Sequence, residues 1–259
     1  MADAPVRLER EGPVAVLVLS DPPLNLFGRS TFESLSSCVT QVELSDARAM
    51  VWRAEGDVFT GGVDVHVFDQ TDASQSQEMF GALLTTVRKI ESLQMPTLAL
   101  VHGLCLTAGL EISLGCDMIW AANSARFGLV EAVVGLTPGA GGTQRMAERA
   151  GPARAREFVM TGGLYDATTL ERWNVVNRVL PDADLLDEGM QLAHRLAAGP
   201  TKAHAATKRI VRAFQEDGVD KADRETPKVA ASLFRTEDLQ RAVRSFLEEG
   251  PGKATFEGR

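Results

Sequence analysis

The first half of the chain alternates short unbroken apolar runs with longer stretches of helical repeat. The runs "VAVLVL" (14–19), "RAMVW" (48–52), "TLALV" (97–101) and "DMIWAA" (117–122) have the length and composition of strands. Between them, 29–44 and 76–94 carry helical spacing, and in the second Phe80, Leu83, Leu84, Val87, Ile90 and Leu93 fall on one face. Strands alternating with helices predict an α/β layer structure. The polar stretch "DQTDASQSQE" (69–78) reads as a surface loop running into a helix. Beyond about residue 150 the texture changes to helix after helix, and no internal repeat is visible.

Composition narrows the classes. The 259 residues can hold one large domain, or one domain with an appendage, and 44% apolar with 24% charged residues is the balance of an ordinary soluble protein. A net charge of -8 argues against bulk nucleic-acid binding, which needs a basic face. No apolar run approaches the ~20 residues of a membrane span. The opening "MADAPVRLEREG" lacks an apolar h-region, so no secretory signal is expected. Cys38, Cys105 and Cys116 form no metal or redox spacing. They are predicted to be buried free thiols of a reducing, cytoplasmic compartment.

One segment breaks the apolar pattern. "HGLCLTAGLEISLGCD" (102–117) is small and apolar except for the lone carboxylate of Glu111 before its end. A turn with a helix starting near Ala108 is the simplest reading. The first N–H groups of a helix lack internal acceptors and sit at the positive end of its dipole. Gly109 would let a ligand approach the backbone, and Glu111 lies on the same helical face as Ala108. A free N–H donor beside a carboxylate suits carbonyl activation with proton transfer. Glu111 could equally favour the helix start or pair with an Arg. In "RFGLVEAVVGLTPGAGGTQR" (126–145) Glu131 is a second lone carboxylate, ahead of a glycine-rich turn and a helix beginning near Thr143. The turn is no nucleotide loop: no Lys follows the glycines and the G-x-G-x-x-G register is absent. Two isolated carboxylates in one pocket could share a water and divide acid and base roles.

These segments carry a family resemblance. Residues 98–145 resemble the signature region of the crotonase superfamily, closest to the enoyl-CoA hydratases, with both family carboxylates at Glu111 and Glu131. "DVFTGGVD" (57–64) is similar to the family's F-x-x-G-x-D turn, "PPLNLF" (22–27) to its N-terminal Asn-containing turn, and "FLEEGPGKATFEGR" (246–259) to its usual ending. The resemblance implies a spiral of β-β-α turns over 1–195 and a helical region over 196–259 for oligomerisation and CoA contact, assembled as a trimer or dimer of trimers. It implies that the Val63 and Ala108 N–H groups hold a thioester oxygen. Glu111 would activate a water, Glu131 would protonate the α-carbon, and the Gly139 N–H would help hold the water. Gly61, Gly62, Asp64, Gly109 and Phe246 would contact substrate or CoA, Phe246 from a neighbouring subunit. The expected activity is hydration of a 2-trans-enoyl-CoA, with no metal and no cofactor beyond the coenzyme A of the acyl-CoA substrate. No nucleic-acid or membrane partner is expected.

The chain departs from the pattern in places. Thr107-Ala108-Gly109 stands where many hydratases read three glycines, and Val63 where Ala is common. "VHV" after Asp64 lacks the usual Lys, and Glu249 replaces a phosphate-binding Lys. A double-bond isomerase, which needs only one placed carboxylate, and a CoA-thioester-binding protein of low turnover are the alternatives. His66 could approach a substrate. His102 and Arg145 read as structural, Arg145 through an ion pair.

Overall fold

The computed structural model describes residues 4–69 and 71–259. In chain order the elements are β1 (Val6–Glu11), β2 (Val14–Leu19), α1 (Arg29–Glu43), β3 (Ala49–Ala54), a 3-10 turn (Val65–Phe68), α2 (Ala73–Ser92), β4 (Thr97–Val101), β5 (Leu104–Leu106), α3 (Ala108–Leu114), β6 (Met118–Ala122) and β7 (Arg126–Gly128). A second 3-10 turn (Glu131–Val134), α4 (Gly142–Ala150), α5 (Pro152–Thr161), β8 (Tyr165–Asp166), α6 (Ala167–Arg172), β9 (Arg178–Leu180), α7 (Leu185–Ala197), α8 (Thr201–Leu233) and α9 (Glu237–Glu249) follow.

The main sheet runs β1-β2-β3-β4-β6-β9, with an antiparallel β1-β2 hairpin and parallel pairing elsewhere. All residues of β2 and β4 are buried, which is why both read as unbroken apolar runs. Helices α1 and α7 pack against this sheet. A second sheet, β5-β7-β8, lies beside it and carries the backbone that enters α3 and the Glu131 turn.

Several elements differ from the sequence expectation. β1, "VRLERE", was not anticipated: only Val6 is fully buried, and Arg7 pairs instead with Glu55 at 2.6 Å. β5, β7, β8 and β9 are two or three residues long, too short for periodicity to register. β8 and β9 also interrupt the helical texture expected beyond 150. α2 begins at Ala73, inside the stretch read as loop, because Asp72 and Gln75 form a reciprocal capping box. Gln70, within that loop reading, lies outside the described residues.

The C-terminal helices are tied to the core by Arg48, at the entrance to β3. Its guanidinium donates to the Gly199 carbonyl (2.6 Å), the Phe256 carbonyl (3.0 Å) and Thr201 Oγ1 (3.0 Å). Asp238 on α9 is buried and accepts the N–H groups of Glu257 (2.8 Å) and Gly258 (2.7 Å), folding the tail back. α8 is kinked at Asp217 and Gly218. All three cysteines are buried and unpaired. Among the described residues no helix is long and apolar enough to cross a membrane.

Candidate active site

The site is built around residues 60–63, a segment stitched on both sides. On one side Asn25, buried and at φ 50°, donates from Nδ2 to the carbonyls of Glu55 and Val58, both at 2.8 Å. Thr60 Oγ1 donates to the Asn25 carbonyl (2.7 Å), and the Phe27 N–H donates to the Gly62 carbonyl (2.8 Å). On the other side the Thr60 N–H donates to the Leu104 carbonyl (2.9 Å), and the Leu106 N–H donates to the Thr60 carbonyl (3.2 Å). Val63 is thereby set next to the start of α3. The asparagine of "PPLNLF" thus holds the loop that carries Val63.

At that helix start the Ala108 N–H meets no acceptor among the described residues, as expected of a first helical position. The Val63 N–H has a partner within the chain. It already donates to Thr107 Oγ1 at 3.1 Å. Gly109 is closely packed: a Cβ there would fall 2.2 Å from the Thr60 methyl, so packing against the stitched segment requires the glycine.

Glu111 is 3% exposed, one turn into α3. Its Oε1 accepts the N–H groups of Ala140 (2.8 Å) and Gly142 (2.9 Å), donors 29 and 31 residues away. A Cβ at Gly142 would sit 2.9 Å from the Glu111 Cγ, so the glycine lets the turn close onto the carboxylate. Burial pushes the Glu111 carboxyl up, opposed by those N–H bonds and by the Arg145 charge. Arg145 forms a two-pronged ion pair with Glu91, both contacts at 2.7 Å, and its Nη1 donates to the Gly141 carbonyl (3.2 Å). Its structural reading holds, and it also braces the turn that grips Glu111. Both hydrogen bonds fall on Oε1, leaving Oε2 as the oxygen able to take a proton.

Glu131 opens the second 3-10 turn and lines the same cleft as Glu111. Its Oε2 is buried without a hydrogen-bond partner. Burial pushes its carboxyl up to about 7, the Glu111 charge adds to the rise, and only its own backbone N–H opposes it. The two carboxylates therefore sit in contrasting settings, one gripped by N–H donors and one bare, although burial raises both.

The cleft is also lined by Phe32, Val63, Phe80, Ala108 and Gly139, and leaves only about 20 Å³ of free space, room for one water. Val63, Ala108, Glu111, Glu131 and Gly139 thus converge. Gly139 faces Phe80, whose ring carbon lies 2.3 Å from where a Cβ would stand. Gly61 and Gly62 belong to the stitched segment, where the Gly61 N–H donates to the Leu24 carbonyl (2.8 Å). Asp64 is turned to local capping, accepting the His66 N–H (3.0 Å) and meeting His66 Nδ1 (2.6 Å). His66 is exposed, and His102 meets the Gly56 carbonyl at 2.8 Å. Phe246 lies on α9, 59% exposed and not among the cleft residues. Of the cleft wall, Phe68 and Met79 fall in the 66–90 region from which a pocket floor is expected, whereas Phe32 on α1 was missed by sequence reading because it is an isolated apolar residue far from that region.

Comparison with known proteins identifies the family and the fold. The profile of the enoyl-CoA hydratase/isomerase family matches residues 9–259. The chain is 31% identical to a crotonyl-CoA hydratase of Syntrophomonas wolfei, covering 99% of each chain. It is 29% identical to a short-chain-enoyl-CoA hydratase of Clostridium acetobutylicum, covering 94% of this chain and 95% of that one. A crystal structure of an enoyl-CoA hydratase subunit from Geobacillus kaustophilus superposes with a TM-score of 0.91 over 98% of both chains at 30% identity. The α/β core with its helical C-terminal region is that of the crotonase fold. By the match of nearly its whole length, this chain belongs to the enoyl-CoA hydratase/isomerase family.

Proposed function

We propose that this chain adds water across the 2,3 double bond of a 2-trans-enoyl-CoA to give the 3-hydroxyacyl-CoA, and runs the reverse reaction. The observation that carries the reading is the pair of unlike carboxylates on one cleft. Glu111 Oε2 takes a proton from water as the water oxygen bonds to C3. The displaced electron pair moves through C2 onto the thioester oxygen, where N–H donors such as that of Ala108 stabilise it. Glu131, whose carboxyl burial raises to about 7, delivers a proton to C2. The thioester supplies the carbanion stabilisation, so the reaction calls for no metal or redox cofactor, and coenzyme A enters as part of the substrate. Isomerisation would need only one of the two carboxylates, and the presence of both favours hydration. Loss of enoyl absorbance from crotonyl-CoA tests the reading, with a 3-enoyl-CoA in parallel. Turnover of the 3-enoyl-CoA alone would assign the isomerase instead.

The narrow cleft favours a short acyl chain. Phe32, Phe68, Met79, Phe80 and Leu83 close round the space beside the carboxylates. Forcing extra methylenes into such packing costs about 1–3 kcal/mol. kcat/KM for a dodecenoyl-CoA is therefore expected to fall about 5- to 150-fold below that for crotonyl-CoA. Phe80→Ala, which opens the wall, should narrow that gap. Equal kcat/KM from C4 to C12 in the unmodified protein would show that the wall yields.

Residues 196–259 are assigned to assembly and CoA contact. α9 presents Val243, Phe246 and Leu247 outward at 49%, 59% and 78% exposure, an apolar stripe of the kind that marks interfaces. Sedimentation should show a trimer or dimer of trimers, and truncation after residue 230 should abolish assembly and weaken acyl-CoA binding together. A fully active monomer at micromolar concentration would overturn this assignment.

A further inference from the structure

Glu111 meets the start of α4, where the first N–H groups have no acceptor inside the helix and sit at the positive end of its dipole. The N–H of Gly142, the first residue of α4, donates to Glu111 Oε1 at 2.9 Å, beside that of Ala140 at 2.8 Å. The other end of the same peptide unit is the Gly141 carbonyl. It accepts two bonds from one residue, the Arg145 backbone N–H at 3.3 Å and Arg145 Nη1 at 3.2 Å. Gly141 is at φ 98°, and a Cβ there would fall 2.0 Å from Nη1, so glycine is what lets the guanidinium reach this carbonyl.

Every nitrogen of that guanidinium is engaged. Nε and Nη2 donate to the two oxygens of Glu91, both at 2.7 Å, and Nη1 donates to Gly141. Arg145 is buried, whereas Glu91 on α2 is partly exposed. An ion pair that merely tied α4 to α2 would need the two contacts with Glu91. The third contact joins the cation to the peptide that grips Glu111. Glu91, Arg145, the 141–142 peptide and Glu111 form one chain of charges and dipoles, and hydrogen bonds in such a chain polarise one another.

We propose that Arg145 is a positioning residue for hydration: by drawing on the Gly141 carbonyl it strengthens the Gly142 N–H as a donor to Glu111 Oε1 and holds Oε2 towards the cleft, with Glu91 fixing the guanidinium. The kinetic consequence rests on the hydratase reading, and the spectroscopic one does not. A general base acts in its ionised form. Burial pushes the Glu111 carboxyl up, and the Gly142 and Ala140 N–H groups and the Arg145 charge oppose that rise. The remaining charged groups near α3 have other partners or disfavour ionisation. Glu131 faces Glu111 across the cleft from the 131–134 turn. Arg149 on α4 donates to the Leu114 and Cys116 carbonyls at the far end of α3. Asp117, before β6, pairs with Lys208, and Arg88 of α2 lines another cavity. Asp64 and His66 engage each other, and burial pushes the Cys105 thiol of β5 up, so that it stays neutral. Arg145 is therefore the cation that favours the base form of Glu111.

The test is the pH dependence of kcat/KM for crotonyl-CoA in the unmodified protein, Arg145→Gln and Arg145→Lys. The acidic limb of that profile reports ionisation of the base in the free enzyme. In Arg145→Gln the limb is expected to move up by about one pH unit, the low end of what one neighbouring opposite charge does to a carboxyl. On the limb kcat/KM then lies about tenfold below that of the unmodified protein. Lysine keeps a charge for Glu91, but its single nitrogen cannot also serve Gly141, so Arg145→Lys should move the limb in the same direction by less. A merely structural brace would lower the rate by one factor at every pH and leave the limb in place, and that result in Arg145→Gln overturns the proposal. Should Arg145→Gln fail to fold, Arg145→Lys decides: a limb moved up supports the assignment and an unmoved limb overturns it. The second readout needs no turnover. In a Glu131→Gln background, where one cleft carboxyl is left to titrate, the Glu111 carboxyl followed by 13C NMR should have a higher midpoint when Arg145→Gln, or Arg145→Lys in its place, is added. An unmodified protein that hydrates nothing would defeat the hydratase reading. The Glu111 midpoint still reports on Arg145 in that case, a raised midpoint supporting the assignment and an unmoved one overturning it.

Discussion

Glu111→Gln is expected to lower the rate of crotonyl-CoA hydration by about 10²–10⁴, the usual contribution of a general base. The substitution is close to isosteric, and a glutamine Oε1 can still accept the Ala140 and Gly142 N–H groups that grip the native carboxylate. The turn over 139–142 and its brace through Arg145 and Glu91 should therefore survive. What is lost is the second oxygen, replaced by an amide NH2 that cannot take a proton from water. Because Glu111 and Glu131 serve a single transition state, the double Gln variant should lose less than the product of the two single losses. Affinity for unreactive butanoyl-CoA should change little. Initial rates of the four proteins, with near-ultraviolet circular dichroism to check folding, provide the comparison. A folded Glu111→Gln protein that hydrates at the unmodified rate would remove Glu111 from the chemistry.

The legible part of this molecule is the part where local pattern and burial coincide. β2, β4 and β6 announce themselves because a strand enclosed in the sheet interior is apolar at nearly every position. Glu111 and Glu131 stand out for the converse reason, each a charge among apolar neighbours. β1 escapes notice because it is an edge strand whose charged residues pair with one another and with Arg53, Glu55 and Asp46. The arrangement of the site was less accessible still. That Glu111 is held by Ala140 and Gly142, that Asn25 anchors the 55–59 loop, and that the Gly109 position is claimed by Thr60 are contacts between separate turns of the chain. No local repeat encodes them. The family resemblance named the two carboxylates and the turns at Val63 and Ala108 together. The hydroxyl that accepts the Val63 N–H comes from Thr107, visible in sequence only as a departure from the usual glycine.

Glu131→Gln is expected to cost about 10²–10⁴ in hydration rate and yet to make the folded protein more stable at alkaline pH. Both effects have one cause. Burial, reinforced by the Glu111 charge, raises the Glu131 carboxyl from its ordinary 4.5 to about 7. In the working enzyme this keeps a proton available for C2, so kcat/KM for hydration should decline above about pH 7, approaching tenfold per pH unit. For stability the sign follows from proton counting. Between 4.5 and about 7 the folded chain holds a proton that the unfolded chain has released, so stability falls as pH rises through that window. Above it the folded state carries the full penalty of a poorly solvated carboxylate. Glutamine has no such charge and should gain about 1–2 kcal/mol over the native protein at pH 8, after allowance for the partial solvent exposure of the side chain, and almost nothing at pH 4. Thermal denaturation of both proteins across that range measures the difference. The coupling has its own signature: in Glu111→Gln, where the neighbouring charge is gone, the Glu131 carboxyl followed by 13C NMR should titrate lower than in the unmodified protein. A rate that stays level to pH 9, or a Glu131→Gln protein less stable than the native one at pH 8, would show that Glu131 is not the buried, protonated acid of this site.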